Sequence, residues 1–80
     1  MSKEYYKKAI QDCRAAIARE REQKKKDNAR IAASIKSTSS PEGKARYRKD
    51  KISVAARHDS VIEGYKKRIE MYQRSLKSCK

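Results

Sequence analysis

Imidazole and thiol chemistry rests on three residues in this sequence: His58, Cys13 and Cys79. A cysteine nucleophile needs a base within hydrogen-bond reach, and a structural zinc site needs four ligands at close local spacing. Neither pattern is written here, because the three residues stand far apart along the chain. Gly43 and Gly64 stand alone, so no glycine-rich phosphate loop exists. The expectation is therefore no catalytic residue, no cofactor-binding residue, no cofactor and no metal ligand: a non-enzymatic protein.

The remaining chemistry is charge. Lys and Arg number 23 against 10 Asp and Glu, for a net charge of +13 and a pI near 10.1. Such a balance points to an acidic partner, whether nucleic acid, an anionic membrane surface or an acidic protein face. The densest cluster is Lys24, Lys25, Lys26 and Arg30, expected to face Arg46, Arg48, Lys49 and Lys51. Those eight residues are the candidate acidic-ligand or nucleic-acid surface. Yet residues 19–59 hold 13 bases and 6 acids, and the rest of the chain 10 and 4, so neither part stands out as a dedicated face. Tyr6, Tyr47, Tyr65 and Tyr72 fall on an apolar seam and so are not obvious platforms for stacking bases.

The elements that position these residues follow from one interruption, Ser37-Thr38-Ser39-Ser40-Pro41-Glu42-Gly43. Proline fits the first turn of a helix and cannot continue one. Ser40 is then an N-cap, and Glu42 places an acid at the positive end of the helix dipole. The prediction is a single helical-hairpin domain over residues 1–80: helix 3–36 with Ser2 as N-cap, turn 37–40, helix 41–78. The glutamates agree. Glu4, Glu20, Glu22, Glu42, Glu63 and Glu70 each precede a Lys or Arg by four residues, the favourable helical order.

Apolar spacing predicts how the helices meet. The first carries Tyr6, Ile10, Cys13 and Ile17, then Ile31 and Ile35; the second carries Ala55, His58, Ile62, Tyr65, Ile69, Tyr72, Leu76 and Cys79. Spacings of three and four are those of a coiled coil. Folded at the Ser-Pro turn, Ile17 faces Ile62, Cys13 faces Tyr65, Ile10 faces Ile69, Tyr6 faces Tyr72 and Ile31 faces Tyr47. Cys13 and Cys79 then lie roughly 20 Å apart, too far for a disulfide, and His58 reads as a polar register residue. The fold class is all-α: an antiparallel, coiled-coil-like hairpin. Its core is thin for a chain of 80 residues, so completion by self-association into a helical bundle is expected.

One layer fails to match. Residues 19–28 contain no apolar side chain, while the second helix offers Ile52, Val54, Ala55 and Ala56 opposite them. Either long Lys and Arg stems cover these or a second chain does; the second chain is the expectation, and these four residues are the candidate self-association or partner site. A short echo, Tyr6-Lys7-Lys8-Ala9-Ile10 against Tyr65-Lys66-Lys67-Arg68-Ile69, falls side by side at the open end. It reads as one seam solution used twice, or more sharply as a Tyr-Lys cluster for a phosphate-bearing or acidic ligand.

Across residues 28–76, Ile35-Lys36-Ser37-Thr38-Ser39-Ser40 and the spaced bases after it are similar to two-helix coiled-coil modules. Those accompany toll/interleukin-receptor-like effector domains in bacterial defence proteins. The resemblance implies an association or sensing segment. Size and hairpin shape also resemble the helical-hairpin proteins of type VII secretion. Here Ser40-Pro41-Glu42-Gly43 replaces their Trp-x-Gly turn, and Ile69 stands where their tail signal would place an acid after Tyr65.

No apolar run approaches the roughly 20 residues of a membrane span, and Met1-Ser2-Lys3-Glu4-Tyr5-Tyr6 has no signal-peptide core. A cytoplasmic protein is expected, with leaderless export left open. The expected role is a protein–protein interaction or oligomerisation module, with a homo-oligomer or a helical protein as partner; the alternative is nucleic-acid binding through Lys and Arg clusters.

Overall fold

A computed structural model of the protein describes residues 2–79, and in it the chain forms two helices, α1 (Lys3–Ser37) and α2 (Pro41–Ser78). They lie antiparallel as a rod 62 Å long and only 15 by 12 Å across. Two helices side by side expose most of their circumference, so only one seam can be buried. The all-α hairpin expected from the sequence is what forms.

Capping explains where the helices begin. Ser2 and Ser40 both have extended backbone, and each Oγ accepts a bond from the N–H three residues on, of Tyr5 and Gly43, both at 3.3 Å. Pro41 occupies the first turn of α2, where its missing N–H has no partner to lose. At the end of α1 the Thr38 N–H still reaches the Ser34 carbonyl at 3.1 Å, extending the helix through Ser37, one residue beyond the predicted limit. The connection is then only Thr38, Ser39 and Ser40.

Such a tight reversal constrains Gly43. A Cβ there would stand 2.6 Å from Thr38 Cγ2, closer than two carbons can approach. Gly43 is therefore needed for space rather than for backbone freedom, since no glycine in the described residues has positive φ. Gly→Ala in a helix interior normally gains up to about 1 kcal/mol. Gly43→Ala is expected to lower the melting temperature instead, and adding Thr38→Ser, which deletes the opposing methyl, should restore it. Stabilisation by Gly43→Ala alone would show that the turn has room.

Five side chains are buried among the described residues: Ile10, Cys13, Ile17, Ile31 and Ile62. Tyr6, Tyr65, Ile69, Tyr72 and Leu76 complete the seam but remain half-buried. At the open end the Tyr6 and Tyr72 rings meet with centroids 6.2 Å apart, in the pairing expected from the sequence. Both cysteines are free, Cys13 buried and Cys79 half-buried. Truncating a buried isoleucine costs about 2–5 kcal/mol, a large share of the stability of so small a fold. Ile62→Ala should therefore abolish most helical circular dichroism at room temperature, Ile69→Ala should cost less, and Lys25→Ala on the exposed surface should melt as the parent does. Parent-like melting of Ile62→Ala would put the seam elsewhere.

Candidate functional site

The middle of the hairpin is closed by charge. Opposite the polar stretch of α1 stands His58, with only 12% of its side chain exposed. Its Nδ1 lies 2.5 Å from Glu20 Oε1, and its Nε2 lies 2.7 Å from Asp27 Oδ2. Glu20 and Asp27 are one heptad apart on α1, about 10 Å along the helix, so the imidazole spans two turns. An ionised carboxylate only accepts hydrogen bonds. Both ring nitrogens must then donate, and the imidazolium is the form that fits.

Titration follows from that geometry. The Glu20 hydrogen bond, then that of Asp27, raises His58 above the ordinary histidine value of 6.5, against the opposing effect of burial. The His58 bond holds Asp27 below its ordinary 3.8, opposed by burial and aided by Arg30, whose Nη2 lies 3.5 Å from Asp27 Oδ1. Arg57 and Val54 on α2 line the same recess. On the neighbouring turn Lys24 Nζ pairs with Asp59 Oδ1 at 2.6 Å. As a surface pair it contributes at most about 1 kcal/mol.

The six Glu-to-base pairs at four-residue spacing give no ion pair among the described residues. Glu20 turns to His58 and Lys24 to Asp59 instead. Of these cross-helix pairs only Glu20–His58 is shielded from water, since Asp59 is mostly exposed. Asn28 Oδ1 is buried nearby without a hydrogen-bond partner, so this layer is not fully satisfied.

The two carboxylates grip opposite nitrogens of one ring and do not converge on a point. No group of three His, Cys, Asp or Glu among the described residues could hold a metal. The arrangement binds two helices together; it offers no open coordination position and no nucleophile.

The remaining candidate residues separate by face. A helix turns about 100° per residue, so Ile52 and Ala56 share one exposed side and Ala55 flanks it, half-buried. Val54 points elsewhere. It is half-buried and lines recesses with Ile31 and Tyr47 on one side and His58 on the other. The four therefore do not form one patch, and Ile52, 72% exposed, is the one large apolar side chain left uncovered there. The eight bases are likewise spread around the rod. Lys24 is paired with Asp59 and Lys51 is half-buried, while Lys25, Lys26, Arg30, Arg46, Arg48 and Lys49 are exposed.

Comparison with protein-family models, with curated proteins and with solved structures finds no match to this chain. No helix among the described residues is long and apolar enough to cross a membrane.

The clamp sets a pH window. A group whose pKa is raised by folding stabilises the fold fully below its unfolded value, about 6.5 for histidine. That stabilisation is lost as pH rises through the higher folded value. Asp27, held low, stabilises above 3.8 and loses its effect as pH falls through its lowered value. The melting temperature should therefore be highest in mild acid and fall as pH rises above about 6.5. His58→Gln should remove that alkaline fall. A parent profile flat across the range, or the same fall in His58→Gln, would deny the imidazolium its role.

Proposed function

We propose that this protein is a non-enzymatic interaction module, a basic helical hairpin that self-associates or docks against the helices of a partner. The observation carrying this reading is the size of the buried layer: five side chains among the described residues, along a rod 62 Å long. Burial of a single seam supplies little against the entropy of ordering both helices. Leaving Ile52 in water adds nothing to the balance, whereas covering it by another chain does. Two free cysteines suit a reducing cytoplasm.

A second reading has its own support in the net charge of +13 and in the six exposed bases toward the turn. By that reading the hairpin binds nucleic acid through phosphates, with little regard to sequence. Its affinity would drop by several powers of ten between about 50 and 200 mM salt if 6–10 phosphates were engaged.

Sedimentation equilibrium across micromolar concentrations, beside anisotropy titrations with duplex DNA and RNA at low salt, separates the two. The interaction reading expects a concentration-dependent mass or a helix content that rises when a protein partner is added, and no more than weak, salt-sensitive nucleic-acid binding. A fully helical, thermally stable monomer that binds duplex tightly would replace it with the second reading.

A further inference from the structure

One flank of the hairpin carries a second heptad series on each helix. On α1 it runs Tyr5, Ala9, Asp12, Ala16, Arg19; on α2 it runs Val61, Gly64, Arg68, Met71, Ser75. Each alternates steps of three and four. Tyr5, Ala9 and Ala16 line the same groove as Arg68, Tyr65 and Tyr72, an open channel of about 570 Å³. Of the α2 series Arg68 lines this groove and Val61 lines the recess at His58; heptad spacing puts the rest of that series on the side of α2 that Arg68 marks. A helix with a single partner needs a single seam; a second seam on each of two neighbours, meeting in one groove, is the pattern that packs a third helix.

Exposure marks the same flank. Four large apolar side chains are exposed among the described residues, and three of them stand here: Tyr5 at 48%, Val61 at 43% and Met71 at 53%. A Cβ at Gly64 would meet nothing within 4 Å, and Ala9 and Ala16 are small, so a helix backbone could approach closely. The opposite flank at the same height carries Lys7, Gln11 and Arg14 on α1 beside Gln73 on α2, with Ile10 and Leu76 of the seam between them, and none of the four exposed large apolar side chains lines it.

Charge identifies the occupant. Lys8, Arg19 and Arg68 edge the groove against one acid, Asp12. The Arg68 guanidinium lies 5.3 Å from the Tyr65 ring centroid. A second copy of the chain would bring another +13 and the same cations to this edge. From Tyr5 to Arg19 the groove runs about 21 Å, close to four helical turns. We infer that this groove docks an acidic amphipathic helix of another protein, completing a three-helix bundle. The inference rests on the interaction-module reading and names its partner.

The test uses the full chain and a fluorescein-labelled helical peptide of about three heptads. Leu fills its two seam positions and Glu its flanking positions, and a control peptide carries Lys in place of Glu. The Glu peptide should bind at micromolar concentration and the Lys peptide should not. Val61→Glu and Met71→Glu, both at exposed positions, should each weaken binding by about tenfold or more with helix content unchanged, while Gln11→Glu on the opposite flank should leave it unaltered. No binding of the Glu peptide, equal binding of both peptides, or indifference to Val61→Glu and Met71→Glu would overturn the assignment. Sedimentation of the same samples separates its failure from that of the broader reading. A homodimer dissolved by Val61→Glu would give the groove to a second copy and leave the interaction module standing. A stable helical monomer that ignores both peptides would remove both.

Discussion

His58 held between Glu20 and Asp27 is the contact on which the hairpin's register depends. The apolar seam is broken there: Ile10, Cys13, Ile17 and Ile62 are buried on one side of it and Ile31 on the other. Apolar contacts are non-directional, and two helices with residues at three- and four-residue spacing can slide by a heptad and still bury isoleucine. A ring that must reach two carboxylates a heptad apart has no such freedom. A slip would leave the half-buried imidazolium and both acids without these partners, a loss that a shifted methyl group does not carry. Polar groups at seam positions fix register in coiled coils in this way, at some cost in stability. The turn acts in the same sense, since three residues between helices and a methyl against Gly43 leave little slack.

The cost is real. A half-buried ion network gains from mutual attraction but gives up part of its hydration, and it rarely stabilises as much as well-packed hydrocarbon. The orphaned Asn28 Oδ1 adds to the deficit, since an unpaired buried acceptor forfeits its bond to water. The middle of this rod is thus specific rather than strong. Its ends rely on few contacts: the tyrosine pair at one and the Thr38–Gly43 reversal at the other. This distribution explains why the hairpin gains by adding surface to its flanks: the single seam cannot be widened from within.

The fold was legible because it is governed by local rules. Ser40-Pro41 is a cap followed by a helix-starting residue wherever it occurs, and spacing of three and four places a residue on a seam whatever the partner. The facing pairs Tyr6 with Tyr72 and Ile31 near Tyr47 follow from counting outward from that turn. His58 could be placed on the seam by the same count. Its acids could not, because Glu20 has Lys24 four residues ahead and Asp27 has Arg30 three ahead. Sequence alone ranks those local pairs first. Only cross-helix reach and the shielding at the seam favour the imidazole. Ile52, Val54, Ala55 and Ala56 share the height of the charged stretch 19–28 along the hairpin, yet two residues apart on a helix is nearly opposite. The second seam was hidden for another reason. Ala9, Ala16 and Gly64 carry too little hydrocarbon to register in an apolar pattern, though small residues are what let another helix come close.

The two flanks therefore differ in kind, and the difference bears on why so basic a chain should be built on so small a core. Where Lys7, Gln11 and Arg14 lie, no exposed large apolar side chain stands beside them, so covering them gains less. Where Val61, Met71 and Tyr5 lie, covering them removes apolar surface from water at roughly 25 cal/mol per Å². The cations along that edge would be costly to bury unpaired. Hydrocarbon in the groove and charge at its margin together favour one sort of surface, apolar along its centre and acidic at its edges. The net charge speeds the approach of such a surface over distances of about a Debye length, 8 Å at physiological salt. The seam then decides whether it stays. On the proposed reading, charge spread evenly over the rod would have a use that needs no dedicated basic patch: it would attract from every direction, while the groove would discriminate.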